Sequence, residues 1–388
     1  FLLGIKMSQF YTLHGLSVIL LTKLFGEREL CIYLLHMKNI SIFCLASLLF
    51  VACGSSNSIA PTNSSSAQLS SSVNASTNSS SNSSQSSTSM ATSCTQVNNT
   101  KVLLSNTNWP SQALGSTVNG VLATGARIFV RSDNMLFAID SSTNKLDTLV
   151  LGLPIPANGT SVLNLQKNST DLVWLYGTKF YRIALNATAP AKVDTLFNAG
   201  TVVRSFAVDN ANLYFALDTL HAIVHVTLAT GVADTLVKTK GVIDDMQLQG
   251  SLLYYSDFGL SQVMKIPTTG GTPVAETATA DFLGKIVVTS TNVFWEDWGA
   301  IHSQTLGNKT TQKTLPTSVA AYANFDSFSA GTSQIAWAAS SGIGWTAFDG
   351  STCFTLSLNP SHNGAWVDID GATLYAASGT NLVSAVLK

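Results

Sequence analysis

The residues most capable of chemistry in this sequence are acidic, and several stand beside aromatics. Asp257 precedes Phe258, and Glu296 and Asp297 precede Trp298; Asp133, Asp218, Asp244 and Asp245 complete the set. Carboxylates next to exposed rings suit a cation, a sugar or a basic protein surface. The same Asp residues equally suit turns, where the side chain accepts hydrogen bonds from nearby backbone amides. Histidine offers less: His221, His225, His302 and His362 are the only ones after the first 93 residues. The His221/His225 spacing would suit a metal on a helix, but on a strand it separates the two by about 13 Å. No Cys-x-x-Cys pair, nucleophile elbow or phosphate-binding glycine loop occurs. The sequence therefore nominates no catalytic residue, metal ligand or cofactor. Its binding candidates are Asp218, Asp257, Phe258, Glu296, Asp297 and Trp298.

These residues are set in a repeat. Ile128-Phe129, Val173-Trp174, Leu213-Tyr214, Leu253-Tyr254, Val293-Phe294, Ile335-Ala336-Trp337 and Leu374-Tyr375 recur at intervals of 45, 40, 40, 40, 42 and 39 residues. Before each comes an alternating apolar stretch and a tight turn, as in Phe206-Ala207-Val208 then Asp209-Asn210-Ala211-Asn212. After it come a polar loop, a third strand such as Gln262 to Ile266, and a fourth that repeats almost literally: Leu146-Asp147-Thr148-Leu149, Val193-Asp194-Thr195-Leu196, Ala233-Asp234-Thr235-Leu236. Four strands at a period near 40 residues is a propeller blade. One blade cannot cover both of its faces, so blades must stack and the ring must close. The expectation is an all-β propeller over residues 94–388 with seven four-stranded blades, six being the alternative because the sixth unit departs at Ala336.

Closure makes a further demand. The seventh unit ends after a third strand near Leu382 to Leu387, so its outer strand is expected from Lys101-Val102-Leu103-Leu104. Cys94 then lies just outside that strand, and Cys353 opens the outer strand of the neighbouring blade. A Cys94–Cys353 disulfide would pin the closure; two free thiols are the alternative. In such a ring the loops between second and third strands share one face, which gathers the acidic and aromatic candidates at the mouth of the central channel.

The N-terminal part reads differently. From Met37 the chain has one lysine, an apolar run from Ile40 to Ala52, and then Cys53. A positive start, a run too short to span a bilayer and a small residue before the cut form a signal peptide, over residues 37–52. Phe50-Val51-Ala52-Cys53 resembles the lipobox of bacterial lipoproteins, although that family prefers leucine where Phe50 stands. The resemblance implies lipidation of Cys53 and membrane attachment, each acyl chain contributing about 0.8 kcal/mol per buried methylene. Residues 1–36 read as translated upstream sequence or an atypical leader. Residues 53–93 are almost entirely Ser, Asn, Thr, Ala and Gln, too polar to offset their ordering entropy, and read as a flexible tether. Asn-x-Ser/Thr matches there and at Asn158, Asn168, Asn186 and Asn308 follow from composition.

Leu253 to Val274 and Val293 to Ser303 resemble YWTD-type propeller repeats, with Tyr254-Tyr255-Ser256-Asp257 and Phe294-Trp295-Glu296-Asp297 loosely in place of the family core. The resemblance implies a fold and not a chemistry. Some propellers are lyases that use histidines from several blades, which keeps His225 and His302 under consideration. Only 11% of residues are charged and the net charge is −1, so no basic field exists for nucleic acid. The leading expectation is a lipid-anchored binding or scaffolding module at a bacterial cell envelope, taking a protein or glycan at the propeller face. An enzyme acting on a polysaccharide or ester at the channel mouth, and a structural subunit of an envelope assembly, are the alternatives.

Overall fold

A computed structural model describes residues 93–105, 118–132, 135–152, 165–280, 283–297, 299–317, 325–339, 342–356 and 365–387, together with strands within 10–36. The chain divides into two units, Phe1–Asn82 and Ser83–Lys388. In the first, Phe10–Leu13, Leu16–Leu21 and Tyr33–His36 pair in that order as an antiparallel sheet. The expected signal peptide, Cys53 and most of the tether lie outside the described residues, as do Asp133, Trp298 and His362.

The second unit is a seven-bladed β-propeller. Blades 1 to 7 occupy residues 118–150, 166–198, 206–238, 243–275, 283–315, 325–356 and 365–386, and each runs its strands in sequence from the inside outwards. The alternating pattern is the cause. Second strands place aromatics in the gaps between blades, where Trp174, Tyr214, Tyr255, Phe294, Trp295 and Trp337 are fully buried. The core is therefore a set of inter-blade layers. Val173 and Phe180 of blade 2 pack with Phe206, Leu213 and Phe215 of blade 3, and Tyr375, Ala377 and Leu382 of blade 7 pack with Val118 and Ile128 of blade 1. The sixth unit forms a complete blade despite Ala336, because Trp337 supplies the buried ring one position later.

Lys101–Leu104 completes blade 7, pairing antiparallel with Asn381–Val386 through Leu104↔Leu382, Val102↔Val383 and Lys101↔Ser384. Just before it, Thr95–Val97 adds a fifth strand to blade 6, parallel to Cys353–Leu356. Cys94 and Cys353 are disulfide-bonded at the head of this pair, with Cα atoms 4.4 Å apart and a sequence separation of 259. The N-terminal segment thus straps two adjacent blades.

Candidate functional site: the central channel

The inner strand of each blade has one edge paired and one facing the channel, where its backbone amides need other partners. In blades 1, 5 and 7 the preceding blade supplies them. Asp245 of blade 4 accepts from the Ile286 amide of blade 5 at 3.2 Å, and Gln247 Oε1 accepts from the Val288 amide at 2.7 Å. Asp326 of blade 6 accepts from Ala365 of blade 7 at 3.1 Å, and Asp368 of blade 7 accepts from Ala123 of blade 1 at 2.7 Å. Ser329 also donates to Asp368 at 2.7 Å. Polar side chains on the inner strands therefore stitch the ring together. Register shifts near the starts of the inner strands of blades 1, 4, 5 and 6 are bulges that re-aim these side chains.

Residues from the inner strands or their flanks in all seven blades enclose a channel cavity of about 360 Å³. Its ionisable lining is Lys167, Asp245, Lys285 and Asp368, with Gln247 and Trp366 among their neighbours. Burial pushes the carboxyls of Asp245 and Asp368 up; Lys285 works against this at Asp245, and Lys167 at Asp368. Asp326 is likewise raised by burial and opposed by its backbone hydrogen bond and by Lys285. The charge of one lysine on the blade 5 bulge thus favours the ionised form of carboxyls on both flanking blades.

Four of the acidic residues nominated from sequence, Asp218, Asp244, Asp257 and Glu296, fall into three settings. Asp218 and Asp244 share Arg204, at 3.1 and 3.0 Å, on the face where second strands turn into third strands. Asp257 is buried and caps its own turn: Oδ1 accepts from Gly259 and Leu260 at 3.0 and 3.2 Å, and Oδ2 from Lys240 at 3.1 Å. There the loop at Gly241 lies against Gly259 so closely that a β-carbon on either would strike the other's backbone. Phe258 next door is 46% exposed. Glu296 is buried beneath the blade 5 bulge, accepting from the amides of Lys285 and Phe325, both at 3.3 Å. Burial pushes its pKa up to about 7 against those hydrogen bonds. Asp257 and Asp297 are the last residues of their strands and Glu296 the last but one, so none of the three sits in the following loop, contrary to the expectation from sequence. The structure brings Asp218 and Asp244 together through Arg204 and leaves Asp257 separately committed to its turn.

His225 and His302 do not converge. His225 stacks on Tyr214 and contacts Asn212 and Asp234 at 2.8 and 3.2 Å. His302 stacks on Trp295, lies 3.8 Å from Asp297, and has its pKa lowered by burial. Each is packed within its own blade. The residues that sequence reasoning passed over are Lys167, Gln247, Lys285, Asp326 and Asp368. Asp245, Lys285 and Asp326 stand one blade apart at 40 and 41 residues, a periodic signal on the inner strand that was available but weaker than the aromatic one.

Virginiamycin B lyase from Staphylococcus aureus matches with a TM-score of 0.58 at 15% identity, over 75% of this chain and 100% of the other. U3-55K matches with a TM-score of 0.58 at 11% identity, over 74% and 98%. PorZ, a bacterial surface component of the type-IX secretion system of Porphyromonas gingivalis, matches with a TM-score of 0.51 at 12% identity, over 70% of this chain and 37% of the other. The likeness is one of fold. No protein-family model and no curated protein matches the sequence. The YWTD-type resemblance accordingly reduces to the propeller itself, with Tyr254 and Tyr255 buried between blades and Asp257 capping the turn.

Proposed function

We propose that this protein is an exported, lipid-anchored binding module of a bacterial cell envelope, and that its ligand occupies the central channel. The observation that carries the binding reading is the cavity where all seven blades meet, lined by side chains that hold the ring rigid. A site whose lining is locked by neighbouring hydrogen bonds loses little freedom when a ligand arrives. The Phe50-Val51-Ala52-Cys53 box and the Ser/Asn tether support the address. The Cys94–Cys353 bond supports an oxidising compartment.

Two measurements test this reading. Full-length protein produced in a bacterium should incorporate labelled palmitate and fractionate with membranes, and Cys53→Ala should abolish both; unchanged labelling would overturn the anchor. For the channel, Gly120→Phe fills the cavity from a position where a β-carbon meets only side chains, the nearest being Leu165 at 3.5 Å. Ligands found by thermal shift in a small-molecule library should be lost in this variant. Hits that persist would overturn the channel as the binding site.

A further inference from the structure

Among the described residues, the ionisable side chains lining the cavity are two lysines and two aspartates. Both signs come from different blades, Lys167 and Lys285 from blades 2 and 5 and Asp245 and Asp368 from blades 4 and 7. Among the described residues the formal charges of the lining therefore cancel. A ligand bearing net charge would leave its hydration shell to meet one like charge for every opposite one, and gains little by entering. An uncharged ligand has no such penalty.

Hydrogen-bonding capacity narrows the class. Gln247 spends its carbonyl oxygen on Val288, which leaves its NH2 group to donate. Gln166 spends its NH2 on the Phe206 carbonyl at 2.8 Å, which leaves its oxygen to accept. Lys167 gives one hydrogen bond to the Ala123 carbonyl at 3.0 Å and keeps two N–H groups. Lys285 brings three further N–H donors to the same lining. Donors and acceptors thus both remain in the lining, and a hydroxyl both donates and accepts. Trp366 and Phe328, both half-buried, add apolar surface to the same lining. A sugar ring presents one C–H face to such a surface and a rim of hydroxyls to the polar groups. The volume, about 360 Å³, is at the small end of ligand cavities, which run from about 300 to 1,000 Å³. It favours a mono- or disaccharide over a polymer threaded through the ring.

We infer that the channel binds an uncharged mono- or disaccharide, with Lys285, Gln247 and Gln166 addressing its hydroxyls and Trp366 forming its apolar wall. This rests on the channel reading above and names the ligand class for it.

Saturation-transfer NMR and calorimetry on the full chain, with glucose, N-acetylglucosamine, maltose and cellobiose as probes, test the inference. Glucuronate, glucosamine and trialanine serve as charged and peptide comparisons. At least one neutral sugar should bind, with glucuronate and glucosamine weaker by about tenfold or more than their uncharged parents. Lys285→Met and Trp366→Leu should each weaken it by about tenfold or more at temperatures where circular dichroism shows the variant folded. A charged probe or trialanine that binds in preference, and is lost in Gly120→Phe, would overturn the sugar class and leave the channel reading standing. A sugar that binds equally well to Gly120→Phe would overturn both. If no probe binds at concentrations up to about 10 mM, the sugar inference fails, while the library screen still decides the channel.

Discussion

The carboxylate of Glu296 lies against Gly284, in space that a β-carbon on Gly284 would occupy. The contact is the centre of the blade 5 bulge, where Glu296 also accepts the Lys285 amide and reaches the Phe325 amide of blade 6. Gly284→Ala must therefore push a buried carboxylate off two amides or shift the inner strand. We expect a loss of about 1–3 kcal/mol in unfolding free energy, measured by urea denaturation. An equal stability for the alanine variant would show that the bulge relaxes freely.

Glu296 also gives the propeller a pH signature. Its pKa in the folded state is pushed up to about 7 from an ordinary 4.5. The folded protein then binds more protons than the unfolded chain between those values, so stability is greatest below about pH 4.5 on this account and falls as pH rises to 7. The contribution is at most about 3 kcal/mol. Asp245, Asp326 and Asp368 are raised by the same cause and act in the same direction. Glu296→Gln removes one titration and leaves the others, so the difference between wild type and variant should slope between pH 4.5 and 7. Parallel pH–stability curves would mean that Glu296 ionises normally.

The ring was legible because its strongest signal is local and repeated. Each second strand carries a large apolar or aromatic side chain for the gap between blades, and the third-strand and fourth-strand turns follow at fixed intervals. The closing strand Lys101–Leu104 followed from counting strands in the last blade. The channel was harder to read, since Asp245 meets Ile286 only after two blades have stacked and a bulge has turned the side chain. Nothing within either blade's own alternation marks that meeting. Thr95–Val97 was invisible for another reason: it is three residues long, polar and largely exposed, and its parallel partner lies across the closure of the ring.

That short strand makes the Cys94–Cys353 bond measurable. The bond joins the strap to blade 6 just ahead of the strand that completes blade 7. Cys94→Ser paired with Cys353→Ser should lower stability by about 2–4 kcal/mol. Hydrogen exchange should show where: faster exchange in residues 95–104 and in the third strand of blade 7, with blades 2 to 4 unchanged. Uniformly faster exchange would mean that the bond supports the whole ring and not its seam.

Asp257 separates structural acids from ligand-binding ones. Its side chain is 1% exposed and its two oxygens accept from three backbone amides, those of Lys240, Gly259 and Leu260. Asp257→Ala leaves those donors without a partner in a contact where two glycine-bearing loops already touch, and should cost about 2–4 kcal/mol. Affinity for a channel ligand should stay within about twofold of wild type at temperatures where the variant is folded, because Asp257 does not line the cavity. Near-native stability together with lost binding, measured by denaturation and calorimetry on one preparation, would return the site to the turn that carries Asp257 and the exposed ring of Phe258.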